Sequence, residues 1–151
     1  MMPHLELRFE SRLELVSLAG AAVRAMCEVR GVDPESASAI ELLAVEIATN
    51  VVEHGYQGRS GEPVQLRITF GDEQVDVEVA DTGEVLPAER VANAELPEIL
   101  LHATEDLPEG GFGLALVRML ADTVEVTSKE GWNVLRFTRR LKRRDAPEEQ
   151  A

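Results

Sequence analysis

A single cysteine in 151 residues, about half as many basic as acidic residues (15 against 28) and no long apolar run set the first boundaries. Cys27 has no second thiol in the chain, which excludes a disulfide scaffold and a cysteine zinc cluster, and its place in a strongly patterned segment predicts a buried thiol in a reducing compartment. No stretch approaches the ~20 apolar residues of a membrane span. Glu6, Arg8 and Glu10 break up the first ten positions, so no secretory leader is expected and the cytoplasm is the expected location. Basic residues are scarcest before the C-terminus. Arg139, Arg140, Lys142, Arg143 and Arg144 fall in the last thirteen positions, leaving ten basic against twenty-five acidic residues, a net charge of −15, in residues 1–138. Such a surface repels phosphate backbones, so no direct nucleic-acid target is expected, whereas a basic protein partner would be steered toward it. The terminal charge run is read as a solvated face, with a flexible tail over 142–151 after one domain over 1–141.

Apolar residues make up 44% of the chain, enough to build one core at this length. Leu5, Leu7 and Phe9 alternate with Glu6, Arg8 and Glu10, the period of a half-buried strand. Ser11 and Glu14 have capping-box spacing, and Leu15, Leu18, Ala19, Ala22, Val23 and Met26 then recur with helical period until Gly31. Asp33-Pro34 restarts a helix that runs from Glu35 to about His54. Val64, Leu66, Ile68 and Phe70, a Gly71-Asp72-Glu73 turn, and Val75, Val77 and Val79 describe an antiparallel hairpin with one wet face. Pro87, Pro97 and Pro108 punctuate an irregular stretch with one short helix expected around 98–104. A helix from Leu114 and a second hairpin around Lys129-Glu130-Gly131 complete the pattern. Strand, two helices, hairpin, irregular segment, helix and hairpin predict an α+β two-layer sandwich, with a mostly antiparallel mixed sheet covered on one face by helices.

Three groups of residues bear chemistry. On the second helix, Thr49, Glu53, Glu46, Asn50 and His54 share a polar face opposite an apolar arc. A solvated helix face ordinarily mixes Lys and Arg among its acids, and none occurs between Gly31 and Tyr56. Carboxylates and an amide gathered without a cation offer hard oxygen ligands suited to Mg²⁺. Asp81-Thr82-Gly83 follows a strand directly; it is an ordinary turn, a carboxylate poised to accept from an amino group, or one half of an aspartic-protease dyad. The protease would need an all-β fold, which the two helices oppose. Gly110-Gly111-Phe112-Gly113 opens a helix, as a hinge or as a phosphate cradle of backbone N–H groups.

In order and spacing, Glu46-Ile-Ala-Thr-Asn50-Val-Val-Glu53-His54-Gly55-Tyr56, Asp81-Thr-Gly83 and Gly110-Gly-Phe-Gly113-Leu114-Ala-Leu-Val resemble the three nucleotide-binding boxes of the ATPase superfamily of gyrase B, heat-shock chaperones, histidine kinases and mismatch-repair ATPases. Small size and the run ending at Asp122 most resemble the bacterial anti-sigma-factor serine kinases, over about residues 5–138.

The resemblance implies a histidine-kinase-like (Bergerat) ATP-binding fold. It implies ATP and Mg²⁺ as cofactors, with Asn50 holding the metal and Glu46 acting as general base toward a substrate serine. Asp81 would accept from the adenine amino group and Gly83 would make room for the base. Gly110, Gly111 and Gly113 would close over the phosphates, with residues 88–109 as the ATP lid and Glu53, His54, Phe112 and Leu114 completing the nucleotide contacts. Its implied partners are an anti-anti-sigma (STAS-type) protein, which it phosphorylates, a sigma factor, which it sequesters, and a second copy in a homodimer. A non-catalytic nucleotide-binding module that captures its partner is the other reading. The chain departs from the kinase pattern at Glu84-Val85-Leu86-Pro87, where an aromatic residue and an acid are usual, and it has no Lys or Arg from Val91 to Val117.

Overall fold

The computed structural model describes residues 2–85 and 112–142. The expected lid over 88–109, its short helix, Gly110 and Gly111, and the tail past Lys142 lie outside the described residues. Five strands form one sheet: β1 (His4–Glu10), β2 (Pro63–Phe70), β3 (Gln74–Asp81), β4 (Thr123–Lys129) and β5 (Trp132–Arg140), in the order β1-β2-β3-β5-β4. Every pair in it is antiparallel. Among the described residues the helices are α1 (Leu13–Val29), α2 (Pro34–Asn50) with a π-helical turn at Val51–Gly55, and α3 (Phe112–Leu120). The expected two-layer sandwich is present, and α2 is its axle, packed against α1 and α3 on its flanks and β3 and β5 beneath. Among the described residues no helix is long and apolar enough to cross a membrane.

The core follows from two periods meeting. Val64, Leu66 and Ile68 of β2, Val75, Val77 and Val79 of β3, and Phe137 of β5 point to one face and are buried beneath Ile40, Leu43, Ala44 and Ile47 of α2. Asp33 caps α2 as its sequence predicts, accepting from the Ser36 amide at 3.0 Å, with Pro34 in the first turn. Gly31, at φ 75°, ends α1, with the Val32 amide bonded back to the Cys27 carbonyl and Gly31 to Glu28. Cys27 is fully buried, and that burial pushes its thiol up to about 11. In the second hairpin Glu130 and Gly131 both take positive φ, as its two-residue turn requires.

Three local expectations are corrected. Ser11 and Glu14 make no capping box, because the helix begins one residue later, with Arg12 at its N-cap and no side-chain cap. The buried Ser11 hydroxyl instead donates to the Arg59 carbonyl (2.6 Å) and accepts from the Glu62 amide (3.0 Å), tying the start of α1 to the loop before β2. The buried stripe of α1 is Val16, Ala19, Gly20, Val23 and Cys27, with Leu18 65% exposed. Close approach of α1 to α2 rotates it, since a Cβ on Gly20 would stand 2.4 Å from Val45 Cγ2. Part of the basic run is also structural: Arg139 lies in β5 and donates to the Leu120 carbonyl at the end of α3 (2.7 Å), and Lys142 pairs with Glu35.

Gly20→Ala is expected to lower stability by about 1–3 kcal/mol through overpacking, despite the better helix propensity of alanine. Adding Val45→Ala should recover most of that loss in urea unfolding, although Val45→Ala alone destabilises; no recovery would remove the close contact as the cause.

Candidate functional site

The polar face of α2 ends in a change of helix pitch. The Tyr56 amide bonds to the Val51 carbonyl five residues back (2.8 Å), and Gly58 reaches Val52 (2.9 Å). A π turn adds a residue to the turn, so Glu53 and His54 sit at angles that a uniform 100° wheel does not give. Glu46 and Asn50, one turn apart on the regular part of α2, are half-buried, and Glu53 and His54 are exposed. Glu46 is pushed up from the usual carboxylate range by burial first and by the negative charge of Glu53 second. The two carboxylates therefore face each other electrostatically.

Asp81 closes β3 on the helix-facing side and is 6% exposed. Burial raises its pKa, opposed by hydrogen bonds from Asn133 and from the Gly83 amide. Asn133 pairs with Asp81 in the β3–β5 register; its Nδ2 donates to Asp81 Oδ1 (3.2 Å) and to the Gly83 carbonyl (2.8 Å), while its Oδ1 accepts from Ser128 (3.0 Å). The Gly83 amide also donates to Asp81 Oδ1 (2.8 Å). Both bonds fall on one oxygen, so the carboxylate is held in orientation with acceptor capacity to spare.

What joins this strand end to α2 is a backbone contact. A Cβ on Gly83 would stand 2.4 Å from the Gly55 carbonyl oxygen, and that oxygen accepts from the Glu84 amide at 2.8 Å. Tyr56, only 1% exposed, reinforces it: its hydroxyl donates to the Pro63 carbonyl (2.5 Å) and accepts from the Thr82 amide (2.7 Å). Gln57 reaches Glu84 on the surface (2.8 Å). The glycine of Asp81-Thr82-Gly83 is thus required by a neighbouring carbonyl, and the motif is clamped to the π turn.

Glu46 and Glu53, and separately Gly55, Asp81 and Gly83, are brought together as the sequence motifs suggest. Phe112, Gly113 and Leu114 form the first turn of α3, which packs on α2. Tyr56, Asn133 and Ser128 carry the site without having been singled out. Tyr56 ends the Glu46–Tyr56 run; Asn133 and Ser128 reach the site only through strand pairing. Among the described residues no three His, Cys, Asp or Glu side chains form a metal cluster.

Tyr56→Phe leaves the Thr82 amide and the Pro63 carbonyl without their partner and is expected to cost about 1–3 kcal/mol in chemical denaturation. Glu46→Gln should have the opposite sign. A carboxylate whose folded pKa lies above its ordinary 4.5 costs stability when ionised, so stability falls as pH rises from 4.5 through the folded value. The variant should melt above the parent at pH 7, and the difference should vanish below pH 4.5; a variant that melts lower at pH 7 would contradict the burial and repulsion assigned to Glu46.

Comparison with known proteins matches residues 9–139 to the family model described as histidine kinase-like ATPase domain. Similar curated proteins include the serine-protein kinase RsbW of Oceanobacillus iheyensis, 25% identical over 128 residues that cover 85% of this chain and 81% of the relative. RsbW of Bacillus pumilus is 26% identical over 132 residues, covering 86% and 82%. Among solved structures, the RsbU and RsbW domains of Rv1364c from Mycobacterium tuberculosis align with a TM-score of 0.64 at 20% identity, over 92% of this chain and 32% of that one. The SiaB–SiaC complex from Pseudomonas aeruginosa aligns with a TM-score of 0.61 at 19% identity, over 87% and 88%. With the family model spanning nearly the whole chain and the same two-layer architecture in these structures, the chain belongs to the histidine kinase-like ATPase domain family.

Proposed function

We propose that this domain binds ATP with Mg²⁺ and phosphorylates a serine on an anti-anti-sigma (STAS-type) protein, sequestering a sigma factor, as a homodimer in the cytoplasm. The observation that carries the reading is the clamp of Asp81-Thr82-Gly83 onto the turn after α2, which ties a buried, oriented carboxylate to the helix that bears Glu46 and Asn50. The residues fit the nucleotide and its metal. Asp81 offers a desolvated acceptor to an adenine amino group, and Glu46, Asn50 and Glu53 offer hard oxygens with no Lys or Arg between Gly31 and Tyr56 to compete for them. The repulsion between Glu46 and Glu53 is the kind that a divalent cation relieves.

In this reading Asn50 holds the metal through its amide oxygen, and Gly110, Gly111 and Gly113, with Phe112 and Leu114, accommodate the phosphates. Bound Mg²⁺ neutralises phosphate charge. Glu46 accepts the proton of the serine hydroxyl as that oxygen bonds to the γ-phosphorus and the bond to ADP breaks. The curated relatives named serine-protein kinase support the activity, and the acidic body supports a basic protein partner. A second reading, nucleotide-dependent capture without transfer, is favoured by one feature: no Lys or Arg stands between Val91 and Val117 to meet the γ-phosphate.

Calorimetric titration of nucleotide-stripped protein with ATP should show binding that depends on Mg²⁺ and is lost in Asn50→Ala. Absence of heat and of a thermal shift in the parent would overturn the ATP site. Asp81→Asn should weaken ATP binding by about tenfold or more, a loss on the order of one charged hydrogen bond. Glu46→Gln should retain ATP and Mg²⁺ yet lose about 10²–10⁴-fold in transfer to a STAS-type substrate. Equal transfer by Glu46→Gln and the parent would remove the general base, and no transfer by the parent would leave the capture module.

A further inference from the structure

We propose that the open edge of β1 is a self-complementary interface, on which a second copy of this chain adds antiparallel with its dyad at Leu7. Among the described residues β1 pairs only with β2. Within His4–Glu10 it has no lysine, proline or bulge of the kind that guards free edges. The orientation of its backbone is set by β2. The Phe70 amide bonds to the Pro3 carbonyl and the Ser11 amide to the Glu62 carbonyl. Alternation along an antiparallel ladder therefore turns the N–H and C=O groups of the odd residues toward β2 and those of His4, Glu6, Arg8 and Glu10 toward the open edge.

Two such edges can pair only in registers that place outward residues opposite outward residues. Of the twofold registers that overlap by five residues or more, a dyad at Glu6 opposes Glu6 to itself and His4 to Arg8. A dyad at Arg8 opposes Arg8 to itself and Glu6 to Glu10. The dyad at Leu7 opposes Glu6 to Arg8 and His4 to Glu10, twice each, and engages all seven residues. Opposite charges directly across a ladder stabilise it and like charges weaken it.

Two further features fit this occupant. Glu6, Arg67, Glu78, Arg136 and Glu125 are register neighbours across all five strands, so charge alternates along one row of the outer face and stops at Glu6 on the open edge. The residue that the Leu7 dyad sets beside Glu6 is the cation that continues the row. On the helix-facing side, Leu5 is 52% exposed at this edge, and the same register sets the second copy's Phe9 opposite it. An isologous pairing of this kind uses up the β1 edge of both copies and closes at two.

The inference deepens the homodimer of the functional reading by naming its surface, and it rests on that reading only for the expectation that the chain pairs. Sedimentation of the parent should show a dimer. Arg8→Glu (Glu opposite Glu) and Glu6→Arg (Arg opposite Arg) should each weaken it roughly tenfold or more, with circular dichroism and ATP affinity unchanged. Mixed together, the two variants should form a heterodimer, because each then meets the opposite charge. A Leu7→Cys variant should oxidise to a covalent dimer, the facing Cα atoms of a non-hydrogen-bonded pair being about 4.5 Å apart. A dimeric parent unaffected by either charge change, or variants that fail to recombine, would overturn the β1 edge and leave the homodimer standing. A parent monomeric at about 100 µM would overturn both, and ATP binding by that monomer would leave the nucleotide site intact.

Discussion

The contact on which the site depends is between two backbones, where Gly83 lies against the carbonyl of Gly55 with no room for a β-carbon. That contact brings the end of β3 to the end of α2, and the Tyr56 hydroxyl makes it specific by bonding to Thr82 on one side and Pro63 on the other. A buried hydroxyl with its donor and acceptor roles both used rigidifies what it joins, because leaving either partner unpaired costs desolvation without return. Asp81 inherits its orientation from this clamp and from Asn133 across the strand pair. The site is thus built where regular structure ends: a π turn closes the helix and a tight turn follows the strand.

Electrostatics divides the molecule into regions with different logic. Around Glu46 no ion pair forms among the described residues, and burial and the charge of Glu53 hold its carboxyl above the ordinary range. On the outer face of the sheet charges are paired, Glu6 with its register partner Arg67 and Arg136 diagonally with Asp76. An exposed pair such as Glu6–Arg67 adds little stability, because solvent screens it. The pattern of charge matters more for which edges can meet. A cluster of acids suits a cation that arrives from solution, and an alternating row that stops at an edge suits a surface that carries the next charge.

Much of this architecture was legible in the residues themselves. The alternation of β2 and β3, the Asp33-Pro34 helix start, the Gly31 stop and the buried Cys27 all follow from local periodicity and capping chemistry, and they hold because local preference and burial agree. For α1 the helical period alone places the buried stripe one residue out of register, since Leu15 and Leu18 fit it as well as Val16 and Cys27 do and only the approach of Gly20 to Val45 decides between them. Ser11 failed as a cap for a similar reason: the loop at Arg59–Glu62 offered its hydroxyl two partners in a buried place.

By itself, then, the sequence determined the element types, the α+β class and the three motifs at their spacing, because hydrophobic period, caps and turn residues act over a few neighbouring positions. The tertiary structure alone decided that the Asp81 carboxylate is buried and held by Asn133, that Tyr56 clamps the motif, that the pitch changes after Asn50, and that five charges line up across five strands. Each of these is a meeting of residues distant along the chain, and strand order and register, which create such meetings, are properties of the packed core and are not written in any local window.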